Sequence, residues 1–144
     1  AALYKVAFSD LLSKQQDTIA IEIISKLDSL VIEDLKKSDE LTKKEVRKIE
    51  LQNDRPFQPS DELSKLLSSV SEISPRAGVD GDYTKRFYSK PYHISEHRVA
   101  LVLSFALVSK KYGGSKAIGS DILESYSKTD SGWVLTSEKR LSRF

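Results

Sequence analysis

The chain has 144 residues, of which 31% are charged and 39% hydrophobic, with a formal net charge of +2. That is about one domain with a core of useful size, and its composition is globular rather than disordered. The absence of cysteine excludes disulfides, thiolate catalysis, cysteine-bound zinc and iron–sulfur clusters, and no apolar run is long enough to span a bilayer.

The small net charge hides a polarity. Residues 1–82 carry 12 basic and 16 acidic side chains, net −4, whereas residues 83–144 carry 11 and 5, net +6. The basic part has the electrostatics of a phosphate or nucleic-acid binder. No basic region followed by an apolar one opens the sequence, so a cytoplasmic location is expected.

In chain order, residues 2–12 fit a short strand or a first helical turn. From residue 17, Ile19, Ile23, Leu27, Leu30, Val31 and Leu35 recur at three- and four-residue steps, the stripe of an amphipathic helix. Ser38, followed by Asp39 and Glu40, reads as the N-cap of a second helix, DELTKKEVRKIELQN, whose KK-EVRK run is a solvated face. Pro56 and Pro59 mark a connector. Ser60 then caps a third helix with Leu63, Leu66, Leu67, Val70 and Ile73 facing inward. Residues 74–82, SPRAGVDGD, are a loop, and Asp80-Gly81-Asp82 within it is a turn, because no twelve-residue calcium-ligand pattern follows.

Ser95 is the expected N-cap of a helix through Tyr112. Val99, Val102, Leu103, Phe105, Ala106, Leu107 and Val108 cover most of its circumference, which makes it the centre of a core. Gly113-Gly114 would end it. Ser115 would open a further helix with Ile118, Ile122, Leu123 and Tyr126 on one face. Residues 130–132 form a turn, and Ser137 starts a last basic helix. The expected fold class is all-α: a mainly helical single domain over residues 1–144, with room for one short β-hairpin near the C-terminus. Its acidic helical part is 1–82 and its basic nucleotide-binding part 83–144.

Residues 83–98, YTKRFYSKPYHISEHR, hold the strongest functional signal. Cations alternating with aromatic rings suit phosphates and flat bases. Lys85, Arg86 and Lys90 flank Phe87, Tyr88 and Tyr92. His93 and His97 follow, and Arg98 falls in the first turn of the expected core helix, where a cation opposes the helix dipole and an arriving anion would relieve it. A salt bridge to a nearby acid is the structural alternative for Arg98. Trp133 is either a core plug or a stacking platform. The candidate nucleotide site is therefore Lys85, Arg86, Tyr88, Lys90, Tyr92, His93, His97, Arg98 and Trp133. Lys110, Lys111 and Lys116 could add a second phosphate contact. The two histidines lack a third ligand, so no metal or other cofactor is expected. There is no HExxH, P-loop, GxGxxG or GxSxG, and no catalytic residues are expected.

Residues 92–132, YHISEHRVALVLSFALVSKKYGGSKAIGSDILESYSKTDSG, resemble part of the noncatalytic primase family. In the C-terminal domain of primase large subunits, a turn with histidine and arginine leads into an apolar helix, then a small-residue turn and a further helix. That domain holds an iron–sulfur cluster through four cysteines, and this chain has none, so the resemblance is to the cluster-free accessory subunit of archaeal primases. It implies an all-helical subunit that holds the initiating nucleotide and its triphosphate for a separate catalytic subunit, with Arg98 as phosphate ligand. The implied partners are the catalytic and large primase subunits, a nucleoside triphosphate, and DNA template or RNA primer, with no membrane. Two other roles fit the residues: a helical protein–protein adaptor acting through the acidic helices, and a small DNA-binding regulator with residues 115–126 as recognition helix. That helix is poor in Arg, Asn and Gln, the side chains best suited to base edges.

Overall fold

The computed structural model describes residues 2–9, 19–73, 83–109, 114–117 and 121–141. Among them are four helices, α1 (Ala2–Ala7), α2 (Ser29–Lys37), α3 (Lys43–Asn53) and α4 (Asp61–Ile73). They also form seven strands: β1 (Ile19–Ile24), β2 (Tyr83–Ser89), β3 (Tyr92–Ser95), β4 (Arg98–Ser109), β5 (Gly114–Ala117), β6 (Ile122–Thr129) and β7 (Gly132–Arg140). The fold is mixed α/β, which overturns the all-helical expectation. Every described element after residue 82 is a strand.

The strands make one sheet in the order β1-β2-β4-β6-β7, with β3 and β5 also paired to β4. β1 runs parallel to β2, and all other pairs are antiparallel. Thus the acidic and basic parts share a single sheet. One face is covered by α1 and α4: Leu3, Tyr4, Leu63 and Leu66 pack on Tyr88, Val99, Leu101, Leu103 and Tyr126. The other is covered by α2 and α3: Val31, Ile32, Leu35, Val46 and Ile49 pack on Tyr92, Ile94, Ala100, Val102 and Leu123.

This layering explains β4. Its residues alternate between the two cores, Val99, Leu101 and Leu103 to one and Ala100 and Val102 to the other. A strand buried on both faces is apolar throughout, which mimics an all-round apolar helix. The expected helix over residues 95–112 is therefore the end of β3, a turn at Glu96 and His97, and β4. The expected helix opening at Ser115 is β5 and the start of β6, and Ser137 lies inside β7. The long helix expected from residue 17 divides into β1 and α2, the latter capped by Asp28, whose Oδ1 accepts from the Val31 N–H at 3.0 Å. The charged helix starts later than Ser38 suggested. Thr42 caps it, and Thr42 and Glu45 exchange hydrogen bonds as a capping box.

The Ser60 cap of α4 is present, its Oγ accepting from the Leu63 N–H at 3.1 Å. The turn at residues 130–132 joins β6 and β7, and Gly132 takes a φ of 111°, a conformation that favours glycine. α3 is tied to the sheet by polar contacts. Asn53 pairs with the Leu27 backbone at 2.8 and 3.0 Å, and Gln52 pairs with the His93 backbone at 2.8 Å in both directions. Lys48, expected to be solvated, donates to the Ile94 carbonyl at 2.9 Å. Residues 74–82, with Asp80-Gly81-Asp82, lie outside the described residues, as do Lys110, Lys111, Gly113 and the Lys116 side chain. Among the described residues no helix is long and apolar enough to cross a membrane.

Candidate functional site

Strand alternation distributes residues 83–98 between opposite faces of the sheet. Lys85 and Arg86, neighbours in sequence, point apart. Lys85 pairs with the Glu22 carboxylate of β1 at 2.6 Å and lies 5.0 Å from the Phe87 ring. Tyr88 is buried beneath α1, its hydroxyl donating to the Ala7 carbonyl at 3.3 Å and its ring 4.9 Å from that of Phe8.

Lys90 is only 4% exposed. Its ammonium donates to the carbonyls of Gln52, Asn53 and Arg55 at 2.7, 3.1 and 2.5 Å, satisfying the open C-terminal end of α3. Burial lowers its pKa. Tyr92 is fully buried and donates to Asn53 Oδ1 at 2.7 Å, and burial pushes its phenol up to about 12. Arg98, the first residue of β4, contacts the Glu45 carboxylate at 2.8 Å, so the cation expected at a helix start stands in an ion pair on a strand. The backbone N–H of Thr42 first, and Arg98 after it, hold the Glu45 carboxyl below its ordinary range. His93 and His97 are exposed on the β3–β4 hairpin. Among the described residues no three His, Asp or Glu side chains gather as a metal site.

Two groups of expected residues do share a concavity. His93 and Trp133 line a shallow, mostly apolar one of about 320 Å³ with Tyr4, Phe57, Leu63 and Val99. Arg86 and Tyr88 line a cleft of about 440 Å³ beside α1, and there the structure adds groups that carry more chemistry: Glu124, Tyr126 and Glu138. The apolar walls come from Val6, Leu103, Phe105, Ile122 and Leu135. The Arg86 guanidinium lies 5.4 Å from the Phe105 ring and 3.5 Å from the Tyr88 hydroxyl.

Glu124 is the chemical centre of this cleft. It lies in the middle of β6, opposite Leu101 of β4 and Glu138 of β7. It is 6% exposed, and the Tyr126 hydroxyl donates to its Oε1 at 2.9 Å. Burial first, and the facing Glu138 second, push its carboxyl up to about 7, while Tyr126 and Arg86 pull the other way. The phenol of Tyr126 is raised as well, by burial and by Glu124. Two carboxylates on facing strands repel, and that repulsion adds to burial in holding the proton on Glu124. A carboxyl raised toward neutrality in a concavity of mixed polar and apolar walls is the kind of group that binding and reaction sites use. A larger groove of about 580 Å³ lies between α2 and α3, but its polar side chains, Lys36, Lys43, Arg47 and Glu50, are all exposed.

Sequence reasoning named Arg86 and Tyr88 among its candidates and did not name Glu124 or Glu138. Their signal is period two: Ile122, Glu124 and Tyr126 form one strand face with an acid in the middle of it. No protein-family model matches this chain, and neither does any curated protein or solved structure.

Proposed function

We propose that this chain is a non-catalytic binding module and that its ligand site is the cleft between α1 and the sheet. The observation that carries this is the meeting of Arg86, Glu124, Tyr126 and Glu138 in one apolar-walled concavity, with Glu124 almost wholly buried. A buried carboxyl facing an exposed one of like charge weakens a fold, and such sites persist where binding uses them. Binding suits the pair better than acid–base hydrolysis. Paired carboxylates that cleave glycosides stand ~5–9.5 Å apart and flank the sugar, whereas Glu124 and Glu138 are direct cross-strand neighbours on one face, a placement that leaves little room for a sugar between them.

A nucleotide-holding role as a primase subunit has less in its favour. Tyr88, Lys90, Tyr92 and Arg98 are engaged within the fold, and the described elements within residues 92–132 are strands where that family uses helices. A DNA-reading role loses its recognition helix, since residues 114–117 and 122–129 are strands. A helical adaptor acting through the acidic helices would have little apolar surface on α2 and α3 to use beyond the exposed Leu30 and Leu51, since most of their apolar residues pack on the sheet.

The test is an NMR titration of the ¹⁵N-labelled chain with three probes of one size and different charge: 2-phenylethylamine, 2-phenylethanol and 3-phenylpropanoate. Saturable shifts in the amides of Leu103, Glu124, Tyr126 and Glu138 with at least one probe are expected. No saturable shift there with any of them refutes the cleft as a ligand site.

A further inference from the structure

The cleft's charge is readable from its walls. Facing Glu124 are Glu138 from β7, Tyr126 from β6 itself, and Arg86 and Tyr88 from β2. Among the described residues β4 and α1 add only uncharged groups there, such as Leu103 and Val6. Among the described residues, two negative charges stand against one guanidinium when both carboxyls are ionised. Protonation of Glu124 removes one of those negative charges. An added positive charge is therefore favoured by the ionised state over the protonated one.

We propose that the cleft takes a monocationic amine with an apolar body, its ammonium seated between the carboxylates of Glu124 and Glu138. This rests on the cleft being the ligand site. An ammonium has three donors, which two facing carboxylates can accept. Its apolar body would lie along Leu103, Phe105, Ile122 and Leu135, which are otherwise the wall of an unfilled space. An anionic ligand would meet the two carboxylates. A divalent metal fits poorly, because hard cations take about six or more oxygens and the Arg86 guanidinium stands beside the pair.

Binding would then expel the proton from Glu124, because the ammonium favours the ionised carboxyl that burial disfavours. An alkylamine keeps its charge well above neutrality, like a lysine side chain, so pH acts through the cleft and not through the probe. Affinity should rise with pH as Glu124 ionises.

The experiment uses the three probes at pH 6 and pH 8 on the wild-type chain and on Glu124→Gln, which keeps the shape and removes the charge. 2-Phenylethylamine should bind more tightly than 2-phenylethanol at pH 8, and its affinity should rise about tenfold between pH 6 and pH 8, the span over which a group titrating near 7 ionises. Glu124→Gln should lose both the preference and the pH dependence. Equal binding of the amine and the alcohol at pH 8, or an amine affinity unchanged in Glu124→Gln, overturns the amine proposal and leaves the cleft as a neutral-ligand site. Failure of all three probes removes the cleft itself. The wild-type pH series decides the matter even should Glu124→Gln fail to fold.

Discussion

Lys90 stands where β2 gives way to β3, and its ammonium serves the carbonyls of Gln52 and Asn53 at the end of α3 and of Arg55 just past it. In sequence it is one more cation among aromatic rings. In the fold it is a helix cap, because the last carbonyls of a helix have no partner within it. Lys90→Met has similar reach and no donor, so it should lower the unfolding free energy by about 3 kcal/mol, the cost of leaving buried polar groups unpaired. Urea melts read this directly, and a loss below about 0.5 kcal/mol would mean that the carbonyls find other partners. Glu124 works in the opposite sense. Its folded pKa of about 7 lies above the ordinary value of 4.5, so the bound proton stabilises the fold fully below 4.5. That contribution is lost as pH rises through 7. At 1.36 kcal/mol per unit it amounts to roughly 3 kcal/mol. Between pH 4.5 and 8 the wild-type chain should lose about that much more stability than Glu124→Gln, and parallel pH profiles for the two would contradict the burial of this carboxyl.

Among the elements, α3 owes its start to a reciprocal pair. The Thr42 hydroxyl accepts from the Glu45 N–H at 3.2 Å, and the Glu45 carboxylate accepts from the Thr42 N–H at 2.9 Å. Thr42→Ala should cost about 1 kcal/mol, and Thr42→Ser should restore most of it. A thermal melt of Thr42→Ala that matches the wild type would show that packing alone fixes this helix end. What the sequence disclosed about elements follows from how distinct their periods are. α4 was legible because Ser60 precedes a clean run of Leu63, Leu66 and Leu67 at helical spacing. β1 was not, because Ile19, Ile21 and Ile23 alternate while Ile19, Ile23 and Leu27 also fall four apart, so one set of residues satisfies both periods. The twelve residues of β4 outrun a typical strand and nine of them are apolar, which pointed to a helix, although Val99, Val102, Phe105 and Val108 favour a strand. The candidate site was hidden by the same error of period. On a helix, Glu124 would turn away from Ile122 and Tyr126 toward solvent. On β6 the three side chains share one face, and the acid is carried into the cleft.

At the scale of the whole molecule, the cleft belongs to no single segment. Arg86 and Tyr88 come from β2, Glu124 and Tyr126 from β6, and Glu138 from β7, with β4 standing between β2 and β6. α1 closes the space from above, and Tyr4 fastens it by donating to the Ser89 carbonyl at 2.7 Å. The charge polarity of the sequence does not map onto two separate bodies, because β1 from the acidic part pairs with β2 from the basic part. The most direct measurement is therefore the titration of the Glu124 side chain itself, followed through its ¹³C carboxyl resonance, with and without 2-phenylethylamine. A midpoint near 7 in the free chain is predicted, together with a shift to lower pH when the amine is present. A free midpoint near the ordinary 4.5, or one that the amine leaves unmoved, would contradict a cleft whose buried acid receives a cation.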